Sequence, residues 1–191
     1  ILKNLFIVVF LSFLFSIKGE AQTTEQSDFS GLKKCTVFSA GDDNVNSYRI
    51  PSLLTTKDGT LLVFCEARRD SWRDKSRTDI VVKRSEDTGK TWSVMQDLTQ
   101  GITGAYMDPT PILDSITGRI FLFTTFWPSE DHSGTKNRAI LITSDDNGKT
   151  WSSPVDVTST IIPAGYHIVG FGPGAGLQMS GKQFKERLVL P

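Results

Sequence analysis

The feature that most restricts the fold of this chain is an internal repeat. Residues 85–92 read Ser-Glu-Asp-Thr-Gly-Lys-Thr-Trp and residues 144–151 read Ser-Asp-Asp-Asn-Gly-Lys-Thr-Trp, with first residues 59 positions apart. Two short apolar runs precede each segment, and the turn glycines Gly59 and Gly118 keep the same spacing. A further copy begins at residues 176–179. The chain is therefore built from one supersecondary unit that is used more than twice.

Each copy consists of short β-branched and aromatic runs bounded by Gly and Asp, a pattern that predicts strands and hairpins. No stretch after residue 21 has a helical period. The run 61–64 is apolar on both strand faces, so we expect it to lie between two neighbouring sheets. Small repeated sheets that cannot bury both faces alone stack radially, which predicts an all-β β-propeller. The sequence supplies about two blades and the start of a third, which cannot close a ring.

The two repeated segments are expected to build turns and not a catalytic site. Their glycines permit the positive φ of a tight hairpin. Their central aspartates can accept hydrogen bonds from the turn's own backbone, and their tryptophans can cover the turn. These residues are Gly89, Gly148, Asp87, Asp146, Trp92 and Trp151.

The first 21 residues are predicted to be a secretory signal peptide. Lys3 provides a positive charge, residues 5–17 are almost entirely apolar, and Ala21 ends a small-residue cleavage pattern. Charged residues end the apolar run too early for a membrane-spanning helix. We therefore expect an exported protein, secreted or periplasmic, with no membrane span after cleavage and with a flexible segment at residues 22–35.

Charge and cysteine content exclude several classes of function. Lys and Arg together number 21, as do Asp and Glu, so the chain has no basic excess for nucleic acid. No Cys or His cluster has metal-ligand spacing. Cys35 and Cys65 could pair in an exported protein, but Cys65 lies in an apolar strand and is expected to be a buried thiol. The glycine-rich tract 170–176 lacks the Lys-Ser/Thr ending and the following helix of a phosphate-binding loop.

Further motifs occur around the repeats in a fixed order. They are Tyr48-Arg49-Ile50-Pro51, the strand end Glu66-Ala67-Arg68-Arg69, an acidic loop, the segment 85–92, and Met107-Asp108-Pro109. This ordered set resembles the exo-α-sialidases (neuraminidases) of the Asp-box, or BNR-repeat, family.

The resemblance covers residues 36–191 and implies the N-terminal part of a six-bladed β-propeller. It also implies hydrolysis of terminal α-linked sialic acids from glycoproteins, glycolipids and oligosaccharides, without a metal or a cofactor. The chain starts at Ile1 and stops directly after a strand-like run, so we expect it to be a fragment of a longer protein.

Sialic acid carries a carboxylate on its anomeric carbon, and a guanidinium binds a carboxylate through two parallel hydrogen bonds without losing its charge. By the motif match, Arg49 and Arg68 are two of the family's three carboxylate-binding arginines, and the third lies beyond residue 191. Arg69, Arg73 and Arg77 are expected to be loop or surface charges.

Glycoside hydrolysis requires a general acid that protonates the leaving oxygen. The polar loop 70–76 offers Asp70 and Asp74. The resemblance favours Asp74 because it stands six residues after Arg68. Asp70 is the alternative, and Asp79 is expected to begin the next strand.

The resemblance also assigns substrate-binding roles at the start of the second copy. Asp108 is expected to face the hydroxyl or amide region of the sugar. Met107 is expected to line the pocket for the acetyl group, with core packing as the alternative. Trp127 is a further candidate for that pocket, with the capping of a strand as its alternative.

The nucleophile of the family is a tyrosine paired with a glutamate, since a neutral phenol is not repelled by the substrate's carboxylate. Tyr48, Tyr106 and Tyr166 match no nucleophile position, so the tyrosine and its partner are expected beyond residue 191. Two other functions stay open at this stage. One is a trans-sialidase, and the other is a propeller that binds sialoglycans without catalysis.

Overall fold

A computed structural model of the protein describes residues 34–100, 104–131 and 133–191. The predicted signal peptide, 1–21, lies outside the described residues, as does all but the end of segment 22–35. Within the described parts, no helix is both long and apolar enough to cross a membrane.

Within the described residues, three antiparallel units, two of four strands and one of two strands, account for nearly all the regular structure. The two larger units are joined into one eight-stranded sheet by a parallel pairing of Thr78 with Ala105. The first contains β1 (Ser47–Thr55), β2 (Leu61–Arg68), β3 (Thr78–Ser85) and β4 (Gln96–Asp97), and the second contains β5 (Ala105–Leu113), β6 (Ile120–Trp127), β7 (Arg138–Ser144) and β8 (Val155–Asp156). The third pairs β9 (Leu177–Gln178) with β10 (Leu188–Val189). The strands confirm two blades and the start of a third.

In the part of the chain that the structure describes, helical structure is confined to short turns. A 3-10 turn spans Asp42–Asn44 and a single α-helical turn, α1, spans Thr158–Ile161. The α-helical turn was not predicted, because four residues are too few to show an apolar period. It begins where Asp156 Oδ1 accepts the backbone N–H of Thr158 at 2.9 Å.

The main hydrophobic core lies between the two complete blades. Phe64 of β2 meets Trp151 of the second repeated segment edge-on, with ring centroids 5.6 Å apart. A Cβ added at Gly148 would lie 2.9 Å from the methyl groups of Leu62, so the glycine allows this turn to approach β2. The expectation that the run 61–64 lies between sheets is therefore confirmed. Burial of each large apolar side chain contributes about 1.5–3 kcal/mol to this packing.

The repeated segments are turns, as predicted. Gly89 and Gly148 have φ of 83° and 74°. Asp87 Oδ1 accepts the backbone N–H groups of Lys90 and Thr91 at 3.0 and 2.9 Å. The Thr91 backbone and hydroxyl donors lower the pKa of Asp87 to about 2, since they stabilise its charged form.

Candidate active site

The first strand of each complete blade is irregular at a residue that precedes proline. Ile50 in β1 and Asp108 in β5 have φ of 51° and 56°, and the strand register shifts at both places. A positive φ is rare for residues other than glycine, especially β-branched ones. Bulges of this kind bend a strand and redirect its side chains. The two bulges place Arg49 and Asp108 near the same end of β2.

Arg68 and Glu66 form a buried ion pair at that end of β2. Arg68 is 1% exposed and Glu66 is 0% exposed. Glu66 Oε2 accepts Nε of Arg68 at 3.0 Å and Nη2 at 2.7 Å, which fixes the plane of the guanidinium. The other carboxylate oxygen, Oε1, accepts the backbone N–H of Asp108 at 3.0 Å. Glu66 therefore orients Arg68 and also joins the two blades.

Sequence reasoning assigned no role to Glu66. The signal that identifies it is strand alternation, because residues two apart in a strand point to the same face. An acid two residues before a functional arginine in a buried strand is therefore its natural partner.

Both predicted carboxylate-binding arginines meet at one atom, Oδ1 of Asp74. Arg68 Nη1 lies 2.7 Å from that oxygen and Arg49 Nη1 lies 3.8 Å from it. Arg49 is 47% exposed and Asp74 is 65% exposed, so this end of the site is open to solvent. The structure thus brings Arg49 together with Arg68 and Asp74, which follow it by 19 and 25 residues in the sequence.

Asp70, the alternative to Asp74, points elsewhere. Its Oδ1 lies 3.7 Å from Nε of Arg77, an exposed pair on the same loop. The geometry therefore places Asp74, and not Asp70, at the arginines. Asp79 lies at the start of β3, as predicted.

Asp108 is half-buried beside the ion pair. Burial raises its pKa to about 6, and the negative charges of Glu66 and Asp74 add to this effect against the opposing influence of Arg68. Its Oδ2 would lie 3.0 Å from a Cβ at Gly170, so the glycine-rich tract passes close to the carboxylate. Asp108 therefore combines proximity to Arg68 with a carboxyl group whose pKa is well above its usual range.

Met107 and Trp127 occupy the neighbouring part of the second blade, and both are half-buried. The Met107 carbonyl accepts the Thr124 hydroxyl at 2.6 Å. Trp127 ends β6, and its Nε1 donates to the Asp131 carbonyl at 2.6 Å. The ammonium of Lys75 lies 3.7 Å from the centroid of the Trp127 ring. The loop that carries Asp74 therefore contacts the second blade.

One expectation for the nearby arginines was wrong. Arg69 is not a surface charge, since its side chain is only 12% exposed and pairs with Asp79 and Asp97. Successive strand residues point to opposite faces, so Arg69, which directly follows β2, takes part in a separate and largely buried group of charges.

The described residues contain no group of three or more His, Cys, Asp or Glu side chains placed to hold a metal ion. Cys35 is exposed and Cys65 is buried, and both are free thiols. The Cys65 thiol donates to the Arg49 carbonyl at 2.9 Å. Cys65 thus packs behind the first arginine, as expected of a buried thiol.

Comparison with known proteins identifies the family of the chain. Residues 50–191 match the family described as BNR repeat-like domain. The chain is 32% identical to a sialidase of Bacteroides fragilis over 74% of this chain and 30% of that protein. It is 34% identical to a sialidase of Paraclostridium sordellii over 78% of this chain and 41% of that protein.

Among solved structures, the Hadza microbial sialidase Hz136 superposes with a TM-score of 0.67 and 31% identity, over 73% of this chain and 32% of that one. The chain thus spans less than half the length of these relatives. The match confirms the predicted all-β propeller fold, of which the chain contains the first blades. The chain belongs to the BNR-repeat sialidase family.

Proposed function

We propose that the whole protein is an exo-α-sialidase that hydrolyses terminal α-linked sialic acids of glycoproteins, glycolipids and oligosaccharides. The observation that carries this proposal is the convergence of Arg49 and Arg68 on one carboxylate oxygen. Two guanidiniums that can share one carboxylate form a receptor for the carboxylate of a sialic acid.

The two arginines differ in a way that suits this role. Arg68 is buried and held by Glu66, so its orientation is set before substrate binds. Arg49 is about half exposed and is free to close on a ligand from the solvent side. Since both contact Asp74 in this structure, the substrate's carboxylate would take the place of the Asp74 carboxylate between them.

Asp74 would then be released to act as the general acid. It would donate a proton to the glycosidic oxygen as the bond from that oxygen to the anomeric carbon breaks, and later accept a proton from the attacking water. We further propose a retaining mechanism, as the resemblance to sialidases implies; it requires a nucleophile, which we assign to a tyrosine outside residues 1–191. Asp108 would face the hydroxyl or amide region of the sugar, and Met107 would border its acetyl group.

Export by the predicted signal peptide, residues 1–21, suits this substrate class. Sialylated glycans are displayed mainly on secreted and cell-surface molecules. We therefore place the protein outside the cytoplasm, either secreted or periplasmic.

The test compares Asp74→Asn with Asp70→Asn in the whole protein. A general acid matters most when the leaving group is poor, and its removal costs about 10²–10⁴-fold. Asp74→Asn is expected to impair sialyl-lactose hydrolysis strongly and to affect the pre-steady-state cleavage of an activated aryl sialoside much less. Asp70→Asn should change neither rate.

Binding of an unsaturated sialic acid analogue provides an independent measurement. Because Asp74 competes with a ligand carboxylate for the arginines, Asp74→Asn should preserve or tighten this binding. If Asp70→Asn instead shows the leaving-group-dependent loss, the assignment of the acid is wrong. If neither variant shows it, the loop does not supply the acid. If the whole protein hydrolyses neither substrate, a non-catalytic sialoglycan-binding propeller becomes the better description. Product analysis in the presence of an acceptor glycan separates hydrolysis from transfer.

A further inference from the structure

The loop that carries Asp74 makes a contact that the proposed chemistry does not use. Lys75 follows Asp74 directly, and its ammonium lies 3.7 Å from the centroid of the Trp127 ring. A cation at this distance from an indole face makes a favourable cation–π interaction. The contact joins the loop between β2 and β3 of the first blade to the end of β6 in the second.

Trp127 is the fixed partner in this contact. Its Nε1 donates to the Asp131 carbonyl at 2.6 Å. A Cβ added at Gly134 would lie 3.2 Å from the ring, so this glycine lets the backbone pack closely against it. Asp131 in turn accepts the backbone N–H groups of Ser133 and Lys136 at 3.0 and 2.7 Å. The indole therefore presents a positioned face to the ammonium.

Lys75 occupies a backbone conformation that favours glycine. Its φ is 62°, in the left-handed region that side chains with a Cβ disfavour. A strained residue persists where the surrounding contacts determine its conformation. The contact of the Lys75 side chain with Trp127 therefore explains why a lysine, and not a glycine, occupies this turn.

The side-chain contacts of Asp74 run through the two arginines, with Arg49 Nη1 3.8 Å away and the closer contact made by Arg68. Nη1 of that arginine contacts the Asp74 carboxylate at 2.7 Å and donates to the carbonyl of Trp72, also at 2.7 Å. A substrate carboxylate at the arginines would replace the first of these contacts. The Lys75–Trp127 contact does not involve the arginines, so it would persist beside Asp74 at that stage.

We propose that Lys75 is a positioning residue, which through its contact with Trp127 holds the Asp74 loop in place for proton transfer after substrate has taken the arginines. This inference rests on the proposed function, because it assumes that Asp74 is the general acid. It assigns Lys75 no contact with the substrate.

The first test asks whether the contact exists in solution, and it needs no activity. The ring current of an indole shifts protons above its face upfield. In the whole protein with isotope-labelled lysine, the ε-methylene signal of Lys75 should be shifted upfield and should return to its ordinary position in Trp127→Leu. An unshifted signal in the unsubstituted protein would overturn the inference.

The second test is a double-mutant cycle on sialyl-lactose and an aryl sialoside. Lys75→Met removes the charge while keeping most of the side chain, and Lys75→Arg retains a cation for the ring. Lys75→Met should lower sialyl-lactose turnover by about 3- to 30-fold with a smaller effect on aryl sialoside cleavage. Lys75→Arg should recover most of the loss. Lys90→Met, at an exposed lysine of the first repeated turn, is the matched control and should change neither rate.

Lys75→Gly is a second variant in case Lys75→Met fails to fold. It relieves the backbone strain at φ 62° and still removes the contact with Trp127. It should behave like Lys75→Met. In an Asp74→Asn background, Lys75→Met should have little further effect, since a positioning residue acts only through the group that it positions.

The outcomes separate this inference from the proposed function. If Asp74→Asn shows a leaving-group-dependent loss and Lys75→Met does not, Lys75 does not position the acid and only this inference fails. Equal losses on both substrates, or losses that add to those of Asp74→Asn, also overturn it. If Asp74→Asn shows no leaving-group dependence, the acid assignment fails and this inference fails with it.

Discussion

Replacement of Glu66 by glutamine tests whether the site depends on a buried carboxylate. Glu66 and Arg68 are 0% and 1% exposed, and the carboxylate oxygen Oε2 accepts two guanidinium N–H groups at 2.7 and 3.0 Å. Its Oε1 accepts the Asp108 backbone N–H at 3.0 Å. Glu66→Gln preserves the size of the side chain and removes its charge, so it leaves the Arg68 guanidinium buried beside a neutral amide.

The expected cost follows from three contributions to the free energy of unfolding. Removal of one partner from a buried ion pair costs about 3–5 kcal/mol. The glutamine carbonyl can keep one hydrogen bond, which returns about 1 kcal/mol. The remaining pair of Arg68 with Asp74 gives little compensation, because Asp74 is 65% exposed and exposed pairs contribute about 0–1 kcal/mol. We therefore expect Glu66→Gln to destabilise the protein by about 2–4 kcal/mol.

Urea unfolding of the whole protein measures this cost. The matched control is Glu86→Gln, since Glu86 also pairs with an arginine two residues away, Arg84, at 3.0 Å but is 65% exposed. The control should cost less than about 1 kcal/mol. Equal free energies of unfolding for the two variants would show that burial of the Glu66–Arg68 pair does not govern its strength.

Two further predictions concern titration and packing. Burial first, and the charge of Glu66 second, raise the pKa of Asp108 to about 6 from 3.8, so the contribution of Asp108 to stability should fall as pH rises from about 4 to about 6. Carbon-13 NMR titration should show this pKa falling in Glu66→Gln, and Asp108→Asn should remove that part of the pH dependence of unfolding. Gly148→Ala introduces a Cβ 2.9 Å from Leu62 at φ 74° and should cost about 2–5 kcal/mol. Gly118→Ala at φ 83°, with nothing within 4 Å of the new Cβ, should cost about 1–2 kcal/mol; similar thermal unfolding of the two variants would contradict the packing argument.

The blades were predictable because their signals are local. The turn at residues 85–92 is specified by a glycine and an aspartate a few positions apart. The run 61–64 is apolar at every position, which indicates a strand that is buried on both faces. Charged residues normally end an apolar pattern. Strand β2 nevertheless continues beyond this run to Arg68. Here Glu66 and Arg68 neutralise each other within the sheet, so the strand end that the motif indicated is buried although it carries charges.

Other features have no local signal. Strands β4 and β8 are two residues long and form through pairing with β3 and β7, so no apolar pattern of their own marks them. The contact of Lys75 with Trp127 joins two blades, and composition offers no reason to pair them. The resemblance to sialidases placed Arg49, Arg68 and Asp74 in one site although they are separated in sequence. The catalytic and binding roles of these residues stay predictions.

The two thiols differ enough in surroundings to serve as separate chemical probes. Cys35 is exposed, whereas burial, followed by the charge of Glu66, raises the pKa of Cys65 to about 12. Because the thiolate is the form that reacts, an alkylating reagent at neutral pH will modify Cys35 quickly and reach Cys65 only when its surroundings open. After Cys35 has been blocked, the rate of alkylation at Cys65 itself reports how often the packing behind Arg49 opens, without any substitution in the protein.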